Sequence, residues 1–476
     1  MFTRSTCIRI NVRSHQQIWR FFSNQPCVRK TSLTPTFTPP KSDKTNRDTD
    51  ASNASRTSTA KPSKPQYRLV EDVEDLHRYC PGGYHPLELG DDLNKGRYRL
   101  VDKLGYGGYS TIWLARDLHR ARYVAVKVIT ADASTSSPEA SLLSSLRNSP
   151  LGLGSEIIPR LLDEFWIAGP NGKHRCIVTP PARMSLFDAK EASTFGLFHL
   201  DVARSITARL IRGVAFLHGQ DIVHGDLHLG NILVQFPREG IDTLSTAELY
   251  EKYGEPYSEA VVRLDSKPLS SNNIPARVDD IILGEEKILL SDFGESFNPH
   301  ETARFSSKTL PLLQPPEARF SNEPLSFPSD VWTLACTIWE ILGQRPLFEA
   351  FFATPDRVTA EQVETLGILP PEWWEKWSGR QEWFNEEEGE LDLKKKSRGP
   401  DGVRMSWDQR FEYCIQEPRA QAGLEIVSET ERRAFKAMLL SMLAFRPNGR
   451  ATVQQALCSD WMRDWGQPAL DRAGGL

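Results

Sequence analysis

The chain has 476 residues, of which 39% are hydrophobic and 25% charged, and it carries a formal net charge of −4. That length suits two cored domains or one bilobal one, and the composition excludes collagenous, disulfide-scaffold and wholly disordered classes. The most apolar run, Ala434–Phe445, contains Lys436 and Ser441 and is shorter than the roughly 18 residues of a membrane span, so no span is expected.

The net charge is a composite. Residues 1–42 hold seven basic side chains (Arg4, Arg9, Arg13, Arg20, Arg29, Lys30, Lys41) and no acid, which leaves −11 on residues 43–476. On a helical projection Ile8, Val12, Trp19 and Phe22 share one side, and Arg9, Arg13 and Arg20 lie opposite. Residues 1–30 thus have the composition of a mitochondrial presequence, and Arg20-Phe21-Phe22-Ser23 is similar to a matrix-processing site. A basic tail with no targeting role has the same composition. Residues 31–66 read as a disordered linker, since 31–65 hold 14 Ser/Thr and five Pro and almost no large apolar side chain. The seven cysteines form no CxxC pair and no dense framework, which points to scattered reduced thiols in an intracellular protein. The acidic body argues against direct nucleic-acid binding.

From Tyr98 the pattern is strand, Gly-rich turn, strand, with Gly105, Gly107 and Ser110 spaced as GxGxxS and flanked by Leu104 and Ile112. Glycines let the backbone approach a polyphosphate and present N–H groups to it, although two glycines in a turn are common. The following strand, Val124-Ala125-Val126-Lys127, places a lysine among apolar residues, where its charge needs a partner or solvent. Glu139 opens a helix-period stretch with Leu142, Leu143 and Leu146 inward, and offers that partner. The strongest local signal is His224-Gly225-Asp226-Leu227-His228-Leu229-Gly230-Asn231, which fits HxDxxxxN ahead of an apolar strand. Ile288-Leu-Leu-Ser-Asp292-Phe293-Gly294 then supplies a carboxylate after a buried strand. Asp226 is expected to orient or deprotonate an attacking hydroxyl, Asn231 and Asp292 to hold Mg²⁺, and Lys127 with Glu139 to position the phosphates of ATP.

In this order the motifs resemble those of a eukaryotic protein kinase over about residues 67–466. Gln314-Pro315-Pro316-Glu317 stands where that family has APE, Asp330-Val331-Trp332 is similar to its αF motif, and Arg450 to the arginine that pairs with the APE glutamate. More narrowly, Tyr79-Cys-Pro-Gly82-Gly83-Tyr84-His85, Leu89-Gly90-Asp91, Ser110-Thr-Ile-Trp-Leu-Ala, Leu161-Leu-Asp-Glu-Phe165 and Gly169-Pro-Asn-Gly172 resemble the SR-protein kinase family. The resemblance implies an α+β bilobal fold: a small N-lobe with an antiparallel sheet and one main helix at 67–182, and a larger, mainly helical C-lobe at 183–466. It also places an insert, 236–286, between catalytic loop and DFG. It implies a monomer that phosphorylates Ser/Thr in Arg/Ser-rich proteins such as splicing factors, in cytoplasm and nucleus, whereas the leader points to mitochondria. The hinge falls at Thr179-Pro180-Pro181-Ala182, with Thr179 as gatekeeper and Ala182 keeping an N–H for adenine.

Two positions depart from the family. His228 replaces a lysine that neutralises charge on the transferred phosphoryl group, and a neutral imidazole donates only one hydrogen bond. The string HGDLHxGN also occurs in small-molecule kinases of the aminoglycoside and choline type, so that class and a weakly active nucleotide-binding scaffold stand as alternatives. Gly225 replaces the arginine that would meet an activation-loop phosphate, so activity without such phosphorylation is expected. Seven of the twelve tryptophans lie beyond residue 370, and clustered aromatics read chiefly as core. The resemblance puts a basic-peptide groove near Glu349, Asp356, Glu361 and Glu364, and an exposed acidic face explains the same four residues equally well. Glu386–Glu390 reads as a solvated loop.

Overall fold

The computed structural model describes residues 67, 70, 73–147, 150, 152–193, 195–237, 240–262, 268–274, 286–350, 352–387, 390–393 and 405–474. The basic leader, the Ser/Thr/Pro linker up to residue 66 and parts of the insert lie outside the described residues.

The N-terminal half is an antiparallel sheet in the order β1-β2-β3-β4-β6-β5. Its strands are β1 (Asp92–Leu93), β2 (Tyr98–Gly107), β3 (Ser110–Asp117), β4 (Arg122–Ile129), β5 (Asp163–Gly169) and β6 (Gly172–Thr179), with helix α1 (Glu139–Arg147) between β4 and β5. Alternation along β4 puts Val124, Val126 and Val128 on one face with Tyr98, Trp113, Phe165 and Val178. Lys127 therefore projects from the other face, where Leu143 and Leu146 of α1 pack with Ile129 and Ile177. Leu142 is only half-buried.

The chain then crosses through β7 (Ala182–Ser185) into a helical half built on α2 (Leu186–Ala192) and α3 (Leu200–His218). Strands β7 and β11 (Ile288–Leu290) flank β8 (Ile232–Gln235), and this small sheet carries the catalytic loop on one side and DFG on the other. Between them the insert forms α4 (Thr246–Tyr253), opened by a Ser245/Glu248 capping box, and a hairpin of β9 (Tyr257–Val262) with β10 (Pro268–Ile274). Beyond β11 come α5 (Glu317–Phe320), α6 (Phe327–Leu342), α7 (Pro355–Leu366), α8 (Pro371–Lys376) and a second hairpin, β12 (Phe384–Glu387) with β13 (Glu390–Leu393). Glu386 and Glu387 thus end β12 and Glu390 opens β13, while residues 388 and 389 of the expected solvated loop lie outside the described residues. Helices α9 (Trp407–Phe411), α10 (Glu417–Gln421), α11 (Glu429–Met442), α12 (Val453–Leu457) and α13 (Gln467–Gly474) complete the lobe.

Helix α6 is apolar around its circumference and buried from Ser329 to Leu342, which makes it the axis of the lobe. Its Trp339 meets Trp407 and Phe411 edge-on, and Phe435 packs on Trp461. Trp373, Trp374 and Trp377 form a second core with Phe320 and Phe384. Five of the seven C-terminal tryptophans are core, as their clustering implies, and Trp383 and Trp465 pack half-buried against it.

The insert ties the two lobes together. Ile241, Leu244, Leu249, Tyr250 and Tyr253 pack against Val101, Leu104, Leu114 and Tyr123 of the N-terminal sheet. Asp242 accepts the Tyr123 N–H at 2.7 Å, and Tyr250 donates to the Val101 carbonyl. Nothing in the sequence of the insert announced this contact.

Candidate active site

The catalytic loop hangs from one buried carboxylate. Asp330, on the first turn of α6, accepts the backbone N–H of His224 at 2.6 Å and of Gly225 at 2.9 Å, and meets His218 Nε2 at 3.1 Å. Burial opposes the Asp330 charge, but these hydrogen bonds outweigh it and hold the carboxyl below its ordinary pKa. His224 accepts the Asp226 N–H on Nδ1, so Nε2 carries the proton and donates to the Ser291 carbonyl at 3.1 Å. Its ring stands edge-on to Phe293 of DFG, 5.1 Å away. His224 is thus a packed structural histidine that joins the catalytic loop to DFG.

Asp226 and Asn231 are locked together, since Asn231 Nδ2 donates to the Asp226 carbonyl at 2.9 Å and to its carboxylate at 3.3 Å. With its amide nitrogen engaged, Asn231 presents its side-chain oxygen as the acceptor. Across the cleft, Lys127 Nζ lies 2.6 Å from Glu139 Oε2 and 2.9 Å from Asp292 Oδ1. Burial works against the Lys127 charge, yet Asp292 and Glu139 overcome it and raise the ammonium above its usual range. Lys127 in turn lowers the Asp292 carboxyl. The Asn231 amide oxygen and Asp292 carboxylate are hard oxygen donors of the kind Mg²⁺ takes, so this donor set fits that ion.

The Gly-rich turn fits a polyphosphate on steric grounds. A Cβ on Gly105 or Gly107 would meet no atom of the chain within 4 Å, so both glycines leave room beside the backbone for a phosphate to approach. Ile112 pairs with Gly105 on one side and Lys127 on the other, which sets the lysine beneath the turn. Leu104 is half-buried beside the insert. Ser110 opens β3 opposite Gly107 with its side chain buried, so it shapes the hairpin from inside the sheet. Thr179 ends β6 and Ala182 opens β7, which leaves the two prolines as the hinge.

His228 is placed differently from a lysine. Its Nδ1 accepts the Gly230 N–H at 3.1 Å and caps the turn Leu229–Asn231, so the proton sits on Nε2, 3.7 Å from Asp226 Oδ2. The four carboxylates of the expected peptide groove each have a partner within the chain. Arg410 engages Glu361 at 3.1 Å and Glu364 at 3.5 Å, Arg319 and the Trp377 Nε1–H engage Asp356, and Arg345 engages Glu349 at 3.1 Å. Asp356, Glu361 and Glu364 hold α7 to its surroundings, and Glu364 is buried. Among the described residues no helix is long and apolar enough to cross a membrane, and the described cysteines are unpaired.

Sequence reasoning named Asp330 only as part of a motif; its role as the anchor of the catalytic loop shows in the structure. The buried pair of Lys103 and Glu74, 2.5 Å apart, was missed altogether. The one trace of it is a lysine within an apolar strand, the same trace that drew attention to Lys127.

Residues 98–242 match the protein kinase domain family. Human SRSF protein kinase 3 is 38% identical over 169 residues, which are 34% of this chain and 30% of that protein. The match therefore spans less than a third of that relative's length. A serine/threonine-protein kinase SRPK of Physarum polycephalum is 26% identical over 415 residues, covering 83% of this chain and 91% of the relative. A crystal structure of a kinase domain superposes with a TM-score of 0.55 at 17% identity, covering 80% of this chain and 98% of that one, and so shares the bilobal fold. The chain carries a protein kinase domain, and among eukaryotic protein kinases it resembles the SR-protein kinases.

Proposed function

We propose that this chain is an ATP-dependent serine/threonine protein kinase that phosphorylates Arg/Ser-rich protein segments such as those of splicing factors. The observation that carries the reading is the convergence of Asp226, Asn231, Asp292 and the Lys127–Glu139 pair on one cleft, each fixed by a hydrogen bond or ion pair. Mg²⁺, when bound, neutralises charge on the phosphates of ATP and keeps the γ-phosphoryl group in line. Asn231 and Asp292 are the residues that would hold it. The Lys127 ammonium, oriented by Glu139, binds phosphate oxygens. Asp226 accepts the proton of the incoming hydroxyl and aims its oxygen, while the Asn231 amide keeps that carboxylate in place. His228 presents its Nε2–H on the same side, 3.7 Å from the Asp226 carboxylate, as a donor for an incoming phosphate oxygen.

The SRPK-like relatives support a protein substrate, and so does the buried ion pair of Arg450 with Glu317, which props the segment before α6 as in protein kinases. The test is transfer of labelled phosphate from ATP to an Arg/Ser-repeat peptide, with Asp226→Asn as control. Label on the peptide that disappears in the variant supports the reading. Transfer only to aminoglycosides or choline, or nucleotide binding with no transfer, would overturn it.

A further inference from the structure

The lead-in ahead of the first long strand does more than fill space. Tyr84 is buried, 2% exposed, and its hydroxyl donates to the carbonyl oxygen of Gly107 in the Gly-rich turn at 2.7 Å. Burial pushes the Tyr84 phenol up to about 12, against the pull of nearby Arg78, so the hydroxyl keeps its proton. The Arg78 guanidinium lies 5.0 Å from the Tyr84 ring centre and 5.5 Å from that of Tyr109, at the tip of the turn.

The lead-in is itself anchored to rigid parts of the sheet. Gly82 donates to the Asn171 carbonyl at 2.8 Å, the Asn171 side chain donates to the Tyr84 carbonyl at 2.6 Å, and Asp132 donates to the Gly82 carbonyl at 2.9 Å. At its start the buried Glu74 carboxylate meets Lys103 of β2 and the Tyr79 hydroxyl. Gly83 is required, because a Cβ there would lie 1.7 Å from the Arg78 carbonyl oxygen.

We propose that Glu74–His85 is a positioning element for the nucleotide loop, with Tyr84 as the residue that holds it. A trans peptide sets C=O and N–H on opposite sides, so fixing the Gly107 carbonyl toward Tyr84 turns the Gly108 N–H away from the lead-in. The loop is thereby held ready for phosphate before nucleotide arrives. A looser loop spends less time in that state, and the apparent nucleotide affinity falls by the lost fraction. The catalytic loop, on the other lobe, is untouched.

This rests on the ATP-dependent reading above, and a direct binding measurement separates the two. In the full-length protein, Tyr84→Phe keeps the ring and removes only the hydroxyl. The expected result is an ATP KM and a MgADP Kd raised about fivefold, the worth of one hydrogen bond, with kcat and melting temperature retained. Arg78→Met should move the same two constants in the same direction by less. Unchanged KM and Kd in Tyr84→Phe, or a fall in kcat alone, would overturn the proposal. A wild-type chain that binds MgADP but phosphorylates no protein would overturn the proposed function, while the Kd comparison would still decide the role of Tyr84.

Discussion

Arg304 reaches back nine residues along the activation segment to Glu295, donating to its carbonyl oxygen at 2.7 Å and to its carboxylate at 3.0 Å. The same guanidinium covers the Phe297 ring at 4.7 Å. This pair lies beside Gly225, at φ +81°, where a Cβ would stand 2.6 Å from the Glu295 carbonyl oxygen. An arginine at 225 is thus excluded by the backbone itself, and the segment is ordered by its own residues. Of the hydroxyls along it, Ser296 and Thr309 are buried, whereas Thr302 and Ser306 are exposed. Phosphatase treatment should leave activity unchanged, and Arg304→Ala should lower kcat by about tenfold, the scale of a charge-assisted hydrogen bond. Loss of activity on dephosphorylation would show that an added phosphate, not this pair, orders the segment.

Arg450 and Glu317 make a buried bidentate pair, with Nη1–Oε1 at 2.6 Å and Nη2–Oε2 at 2.5 Å. Arg450 also donates to the carbonyls of Pro328, Ala444 and Phe445 and lies 4.9 Å from the Trp332 ring centre. Removing one partner strands a charge with no access to water. Arg450→Met should therefore destabilise the C-lobe by about 3–5 kcal/mol in denaturant titration. Adding Glu317→Gln should recover part of that loss, because the stranded carboxylate is gone. Equal stability of the single variant and the wild type would mean that the pair contributes nothing net.

His85 and His174 pack with ring centres 4.8 Å apart and planes tilted by 54° where the lead-in meets the sheet. Burial lowers the His85 pKa from 6.5 to about 4, helped by His174 and opposed by Asp91. The unfolded chain thus takes up a proton at His85 before the folded one does, so folding weakens as pH falls from about 6.5 to 4. The stability is fully present above this window. With the solvent screening of a half-buried ring, the loss is on the order of 1–2 kcal/mol. Melting temperatures across pH 4–7 should show this slope, and His85→Gln should flatten it. An identical slope in the variant would place the titration elsewhere.

The parts of the site that could be read from sequence share a physical reason. Lys127, Asp226, Asn231 and Asp292 are polar groups set against apolar strands, and such placement needs a partner or a task. The lobes were legible for a similar reason, since period-two and helical alternation follow from which face is buried. The contacts of the insert were not legible, because Asp242 and Tyr250 are ordinary loop and helix residues until the fold brings Tyr123 and Val101 to them. The partners of the acidic residues near the expected peptide groove were hidden on the same ground. Glu361 and Glu364 look available for a basic peptide until Arg410, 46 residues beyond Glu364, arrives beside them. Long-range pairing of charges leaves no local pattern to read.

His228 combines two roles that a lysine would separate. Its Nδ1 caps the turn carrying Asn231, and its Nε2–H faces Asp226 at 3.7 Å. Replacing it with lysine gives a permanent cation beside the transferring phosphoryl group but leaves the Gly230 N–H without its acceptor. A lost cap costs about 1 kcal/mol. His228→Lys should therefore raise kcat by about tenfold, the worth of one added charge-assisted bond in the transition state, while lowering the melting temperature slightly. His228→Ala loses both roles and should lower kcat and stability together. The opposed signs in the lysine variant are the diagnostic, because a purely structural histidine would lose activity in step with stability. A lysine variant with lower kcat would show that the position of Asn231, fixed through the cap, matters more to the reaction than the missing charge.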